Sequence, residues 1–274
     1  MTTIQAEDST AEGRIFNEVI ALLDRQREQP VDGALRELQS QLLAIYSGKS
    51  KAFDYATCQM ALALLAFGLG DRSEARRQLQ NAQKTGGAAE HIASNAPIML
   101  CNMGDLDSAH AAAIEAMNRF MGNPTILRGA CMVLKDTLDF HAAAEGFGQL
   151  LKIVADDGRH EMFTTCREQM IGLAERADKF GLSGEVLRER AQHVAKALQD
   201  ANKKIFLVNL RGTNVNSISL EFHVDAPADV CADLNFVIAD ALIERFDDTA
   251  MDVVTMTARS FNGCAAGKPV ELRA

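Results

Sequence analysis

The chain has 274 residues, 47% of them hydrophobic, and a formal net charge of −9, so it can bury one or two cores and is acidic overall. Acidity argues against broad nucleic-acid affinity, where Lys and Arg must neutralise phosphates, and against docking on anionic lipid. It suits solubility and a basic or apolar protein partner.

Residues 1–12 are polar and acidic, with no apolar core of a secretory signal, and read as a disordered N-terminus. Two amphipathic helices follow, separated by Pro30. Ile15, Val19, Leu22 and Leu23 share one face of the first, and Leu35, Leu38, Leu42 and Leu43 one face of the second. The longest apolar stretch, "MALALLAFGLG", is about half the length of a membrane-spanning helix. The six cysteines form no CxxC pair and fall mostly in apolar periodic segments, where Cys acts as a small hydrophobe. A soluble cytoplasmic protein with reduced thiols is expected.

From residue 56 to about 155 the chain repeats itself. "GDRSEA" at 70–75 returns as "GDLDSA" at 104–109 and as "LDFHAA" at 138–143, each 34 residues after the last. An apolar helical run precedes each phrase and an amphipathic one follows it. Gly-Asp stops one helix and makes a turn, and Asp or Ser can cap the next helix. Ala75, Ala109 and Ala143 are small enough for two helices to approach closely, and Leu79, Ala113 and Phe147 lie one turn further on the same face. This pattern resembles the tetratricopeptide repeat, a helix–turn–helix unit of the same length. In the first helices the family's aromatic and Gly positions are replaced by Leu62, Ala63 and Ala66, by Ala96, Pro97 and Leu100, and by Ala130, Cys131 and Leu134. Pro97 should kink or shorten its helix, or else "SNAP" starts a shorter one with Ser94 or Asn95 as its cap.

Two helical runs, "RHEMFTTCREQMIGLAERADKFG" and "SGEVLRERAQHVAKALQDANKK", drift from the 34-residue register and read as a terminal, non-standard pair. Past residue 203 the pattern becomes β-β-α-β: "KIFLVNLRG", "SISLEFHVD", "APADVCADLNFVIADALIERF" and "MDVVTMTARSF". The expected architecture is therefore mainly α, with an antiparallel helix-pair solenoid over 13–202, a small α/β module over 203–262 and a flexible tail over 263–274. A unit of this size is expected to lean on the last helices, to self-associate or to join a partner's sheet.

Motifs for catalysis are absent: the chain has no GxGxxG, GxxxxGK[ST], HExxH or GxSxG. His160, Glu161 and Cys166 lie close in sequence but read as a helix start with a packed Cys. His91, His110 and His141 are scattered over the repeats, and His223 reads as a half-exposed strand residue. The acidic residues between Asp225 and Asp248 read as a solvated helix face, with a cation or a basic partner as the functional alternative. No catalytic residue, cofactor or metal is expected.

The resemblance implies that first helices line a concave groove that holds peptides or protein segments. The inward positions are then Met60, Leu64 and Phe67; Ser94, Asn95, Ile98 and Asn102; Arg128, Met132 and Lys135. Met adapts to varied partners, Asn can hold a peptide backbone, and two cations stand at one end. The expected role is a non-catalytic scaffold for a protein or peptide partner, with the C-terminal module a candidate for self-association. The alternatives are an export-chaperone or immunity-type protein with one dedicated partner, a regulator that senses a peptide or small molecule, and an enzyme built by dimerisation around Asp225 and Asp229.

Overall fold

The computed structural model describes residues 5–6, 10–26, 31–48, 53–86, 89–154, 158–212, 218–247 and 254–261. The fold is mainly α. Among the described residues ten helices follow in series: α1 Ala11–Arg25, α2 Asp32–Gly48, α3 Tyr55–Gly68, α4 Arg72–Gly86, α5 Glu90–Asn102, α6 Leu106–Arg119, α7 Pro124–Asp136, α8 Phe140–Ile153, α9 His160–Lys179 and α10 Gly184–Asp200. A small C-terminal region then holds β1 Ile205–Gly212, β2 Ile218–Val224, α11 Ala228–Arg245 and β3 Val254–Ser260. The tail expected over 263–274 lies outside the described residues. Contacts divide the chain into one unit over Thr3–Ile92 and another over Ala93–Arg259, a division that falls within α5.

In the first unit, α1 starts at Ala11, with the Thr10 hydroxyl accepting from the Gly13 N–H and Glu12 already buried. It turns Ile15, Phe16, Val19 and Leu22 inward, and α2 turns Leu35, Leu38 and Leu42. Leu43, expected on that face, is exposed. Helix α3 is apolar all round, so it can only be central. It packs against α1, α2 and α4, and Met60, Ala61, Ala63 and Leu65 are all fully enclosed. Helix α4 is polar except for Ala75, Leu79 and Ala82, which it buries. Near the α3 start, Tyr46, Phe53 and Tyr55 meet edge to face, with centroids 4.7–5.8 Å apart.

The three repeated phrases adopt one turn. Gly70, Gly104 and Leu138 all have left-handed backbone, with φ of 82°, 77° and 65°. In each, the following Asp donates its N–H five residues back, to the Ala66, Leu100 and Leu134 carbonyls at 2.8, 3.0 and 2.9 Å. This is the two-bond helix ending that requires a left-handed residue. The same Asp then opens the next helix. Its side chain accepts from the N–H of Glu74, Ser108 or Ala142 at 3.0, 3.3 and 3.1 Å. Ala75, Ala109 and Ala143 are fully buried, as are Leu79, Ala113 and Phe147. Left-handed backbone costs a non-glycine residue on the order of 1 kcal/mol. Leu138 is completely enclosed, and burying a Leu side chain stabilises by about 2 kcal/mol, so burial wins there.

In the second unit, α6, α7, α8 and α9 pack neighbour to neighbour. Helix α5 starts at Glu90 and contains Pro97 in its interior, so "SNAP" is not a helix start: Ser94 and Asn95 are mid-helix and buried. Helix α10 turns back across the repeat turns. Gln192 accepts from the Leu106 N–H at 2.6 Å, Gln199 donates to the Met103 carbonyl at 2.9 Å, and Arg188 reaches Asp107 at 3.2 Å. That use of α10 as a strap explains the loss of the 34-residue register in this pair.

The strands form one sheet in the order β1-β2-β3, with β1 and β2 antiparallel and Leu210 opposite Leu220. β1 packs on α7 and α10, and α11 packs on α10. Central β2 is buried almost throughout. Glu221 and His223 are therefore buried too, which corrects the half-exposed reading of His223. A neighbour's charge makes this tolerable: Arg259 donates to Glu221 at 3.1 Å. Among the described residues no helix is long and apolar enough to cross a membrane.

Close packing is sharpest at Gly146 of α8, where a Cβ would stand 2.5 Å from Cys131 Sγ and 3.0 Å from Met117 Sδ. Gly172 in α9 has open space around it. Gly146→Ala is expected to lower stability by about 1–3 kcal/mol through overpacking, whereas Gly172→Ala raises it by about 0.5–1 kcal/mol through helix propensity. Urea unfolding of the two variants beside the parent chain checks both signs.

Candidate functional site

The side chains expected to form a binding face separate into three environments. In α3, Met60 and Leu64 belong to the first unit's core, and Phe67 is half-buried. In α5, Ser94, Asn95 and Asn102 are buried and Ile98 is half-buried. Helix α7 is different. The Asn123 side chain caps it, accepting from Thr125 and Ile126, and Pro124 sits in its first turn. Arg128, Met132 and Lys135 then stand at helical spacing on one face. Arg128 is half-buried, Met132 is 38% exposed and Lys135 is 9% exposed.

Lys135 does not stand alone. Its ammonium is 3.2 Å from Asp136 Oδ1. Burial raises the Asp136 carboxyl above the usual range, opposed by Lys135 and by the Leu210 N–H from β1. Asp136 is thus a polar tie between α7 and the sheet. The two cations also act on Cys166 of α9. Burial raises its thiol, while Lys135 and Arg128 pull it down. On the α5 side, the enclosed Cys101 thiol is pushed well up by burial and by Asp136. The charged groups of α7 thus act on a thiol of α5 and on one of α9, while Arg128 and Met132 are the accessible side chains of the α7 face.

The histidines pair locally rather than with one another. His110 meets Asp139 at 2.7 Å, and the hydrogen bond holds that carboxyl low. His141 lies 3.1 Å from Asp178. His160 and Glu161 are exposed in the first turn of α9, and Arg159 supplies no capping side chain. No cluster of three His, Cys, Asp or Glu able to hold a metal occurs among the described residues. Asp225 accepts from the Lys204 N–H at 2.6 Å, fastening β1 to the end of β2, and Asp229 is exposed in the first turn of α11.

One constellation escaped sequence reading. In the first unit, Thr57 donates its hydroxyl to Asp54 at 2.6 Å and meets His91 Nε2 at 2.9 Å. Since that hydroxyl proton goes to Asp54, His91 Nε2 must be the donor to Thr57 Oγ1. Glu12 accepts from the Asp54 N–H at 2.8 Å, and the Phe16 ring stands edge-on to His91. Burial works against the Asp54 charge, but the Thr57 hydroxyl and the Thr57 and Ala56 N–H groups hold its carboxyl low. The Asp-Thr-His order resembles a nucleophile relay, yet Thr57 is 2% exposed and no substrate atom can reach its hydroxyl. The cluster joins α1, α3 and α5 at their starts. Thr57 and His91 are 34 residues apart, so the repeat spacing itself was the signal that places them together.

Five cysteines are described, and all are free. Burial raises each thiol, and Cys58 and Cys131 reach about 12. Such groups are poor nucleophiles at neutral pH.

No protein-family model, curated protein or solved structure matches this chain.

The His91 ring carries a pH consequence. Burial lowers its pKa, outweighing the attraction of Asp54. A base lowered on folding contributes stability that is complete above its unfolded value of about 6.5 and is lost as pH falls through it. His91→Gln removes the titration and keeps a donor for Thr57. The variant is expected to show a flatter Tm between about pH 7.5 and 5.5 than the parent chain, measured by far-UV ellipticity.

Proposed function

We propose that this chain is a non-catalytic, tetratricopeptide-like scaffold of the cytoplasm that holds a protein or peptide segment against the α7 face. The observation that carries the reading is the accessible Met132 between Arg128 and Lys135, on a first helix of the repeated pair. The protein is acidic overall, yet no carboxylate stands on that helix face at the Arg128 end. A segment with an apolar side chain beside a carboxylate would satisfy both Met132 and Arg128. Met accommodates varied side-chain shapes, and Arg recognises carboxylates bidentately. The repeated turn supports the tetratricopeptide-like part of the reading, because it keeps the small residues Ala109 and Ala143 buried where second helices meet first helices. The free thiols of the described cysteines suit a reducing compartment.

The informative substitutions are on α7. Met60→Glu would place a charge in the first unit's core and unfold it. Arg128→Glu combined with Met132→Glu changes accessible groups, and far-UV ellipticity checks the fold. In a pull-down from native lysate, the parent chain is expected to retain a specific protein, and the folded double variant to retain at least about tenfold less, the loss of one interface anchor. Equal retention by both would move the interface elsewhere, and no specific protein in either lane would remove the scaffold reading.

A further inference from the structure

Helix α11 has two apolar faces. Cys231, Leu234, Ile238 and Leu242 are buried on one. On the opposite side, Phe236 is 71% exposed and Ile243 65% exposed, the most exposed large hydrophobic side chains among the described residues. They are seven residues apart, so they share a face. Ala232 and Ala239 fall between and beside them. The spacing Ala232, Phe236, Ala239, Ile243 is four, three, four, the seam of a two-heptad coiled coil.

Carboxylates run along this seam. Asp233 and Asp240 occupy equivalent flanking positions one heptad apart, Glu244 lies beyond them, and Asp229 enters the seam at its N-terminal end. All four are exposed. The only cation of α11, Arg245, projects from the opposite side, towards Glu189 at 3.5 Å and over the Phe246 ring. Among the described residues, α11 itself carries no cation on its outer face.

A second copy of this chain is a poor occupant. Antiparallel pairing of two α11 helices would set Asp233 and Asp240 against their counterparts, and parallel pairing would set Asp229 against Asp229. Like charges at such positions select against a pairing. A helix with an apolar seam and Lys or Arg at its flanks would cover Phe236 and Ile243 and neutralise the acids. The seam from Ala232 to Ile243 rises about 16 Å, three helical turns, so a short amphipathic segment suffices.

We propose that the outer face of α11 docks a basic amphipathic helix of a partner protein, packed along Ala232, Phe236, Ala239 and Ile243 and held by Asp233 and Asp240. The surface is separate from the α7 face, and the variants that test it leave Arg128 and Met132 intact.

The probe is a synthetic three-heptad peptide with Leu and Ala in the seam and Lys at both flanking positions. Its control carries Glu in place of Lys. Both are titrated calorimetrically into the full chain. The Lys peptide is expected to bind, and the Glu peptide to bind at least about tenfold more weakly. Phe236→Ser with Ile243→Ser, both at exposed positions, should weaken the Lys peptide by at least about tenfold without changing the far-UV spectrum. Asp233→Lys with Asp240→Lys should reverse the preference between the peptides. Reversal distinguishes a docking register from general attraction of a cation to an acidic protein. The proposal is overturned by failure of the Lys peptide to bind, or by binding that Phe236→Ser with Ile243→Ser leaves unchanged. A parent-chain dimer in sedimentation velocity that this double variant abolishes would also overturn it, because the face would then belong to a second copy.

Discussion

One residue type does two jobs at each repeat boundary. Asp71, Asp105 and Asp139 each close a helix with the backbone N–H and open the next with the side-chain carboxylate. Only one residue, in left-handed backbone, separates the closing carbonyl network from this aspartate. The angle between the two helices is then set locally, before any long-range contact forms. Close approach of the pair follows from the Ala four residues after each Asp, and that approach buries Leu79, Ala113 and Phe147. The packing of α3 on α4 and of α7 on α8 rests on this bond pair.

The third turn shows how the constraint is met when glycine is missing. Leu138 accepts the left-handed conformation because its side chain is enclosed, and because α10 reaches over the turn: Arg188 bonds the Thr137 carbonyl at 3.5 Å, and Gly184 lies against Leu138. The strap that α10 provides is thus linked to the loss of a glycine. Gly184 must remain small, since a Cβ there would come within 3.0 Å of the Leu138 oxygen.

The turns, the caps and the small residues were legible in the sequence because they are local and recur at a fixed spacing. Which side of each first helix faces solvent was not. Helix α3 has no polar face, so periodicity could not say that Met60 and Leu64 are core. In α5, Pro97 suggested a kinked or shortened helix, or a new start at "SNAP", but the helix runs through it and Ser94 and Asn95 are interior. Lys135 looked like an accessible cation, yet its partner Asp136 is tied to a strand 74 positions later, and no local pattern announces such a pairing. His223 sat in an alternating strand, and alternation fails where a central strand is covered on both faces. The α11 seam was hidden for a related reason: two apolar faces cancel in any single-face periodicity, and its acids looked merely solvated.

The ring cluster of Tyr46, Phe53 and Tyr55 has a spectroscopic meaning. The chain has two tyrosines and no tryptophan, and both tyrosines are in that cluster, within the first unit. Ultraviolet fluorescence and the near-ultraviolet tyrosine bands therefore report on this corner alone. The second unit, with the α7 face and α11, contributes no such chromophore. A melt followed by tyrosine emission describes the first unit. Compared with backbone ellipticity, which samples both, it separates the unfolding of the two units without any added label.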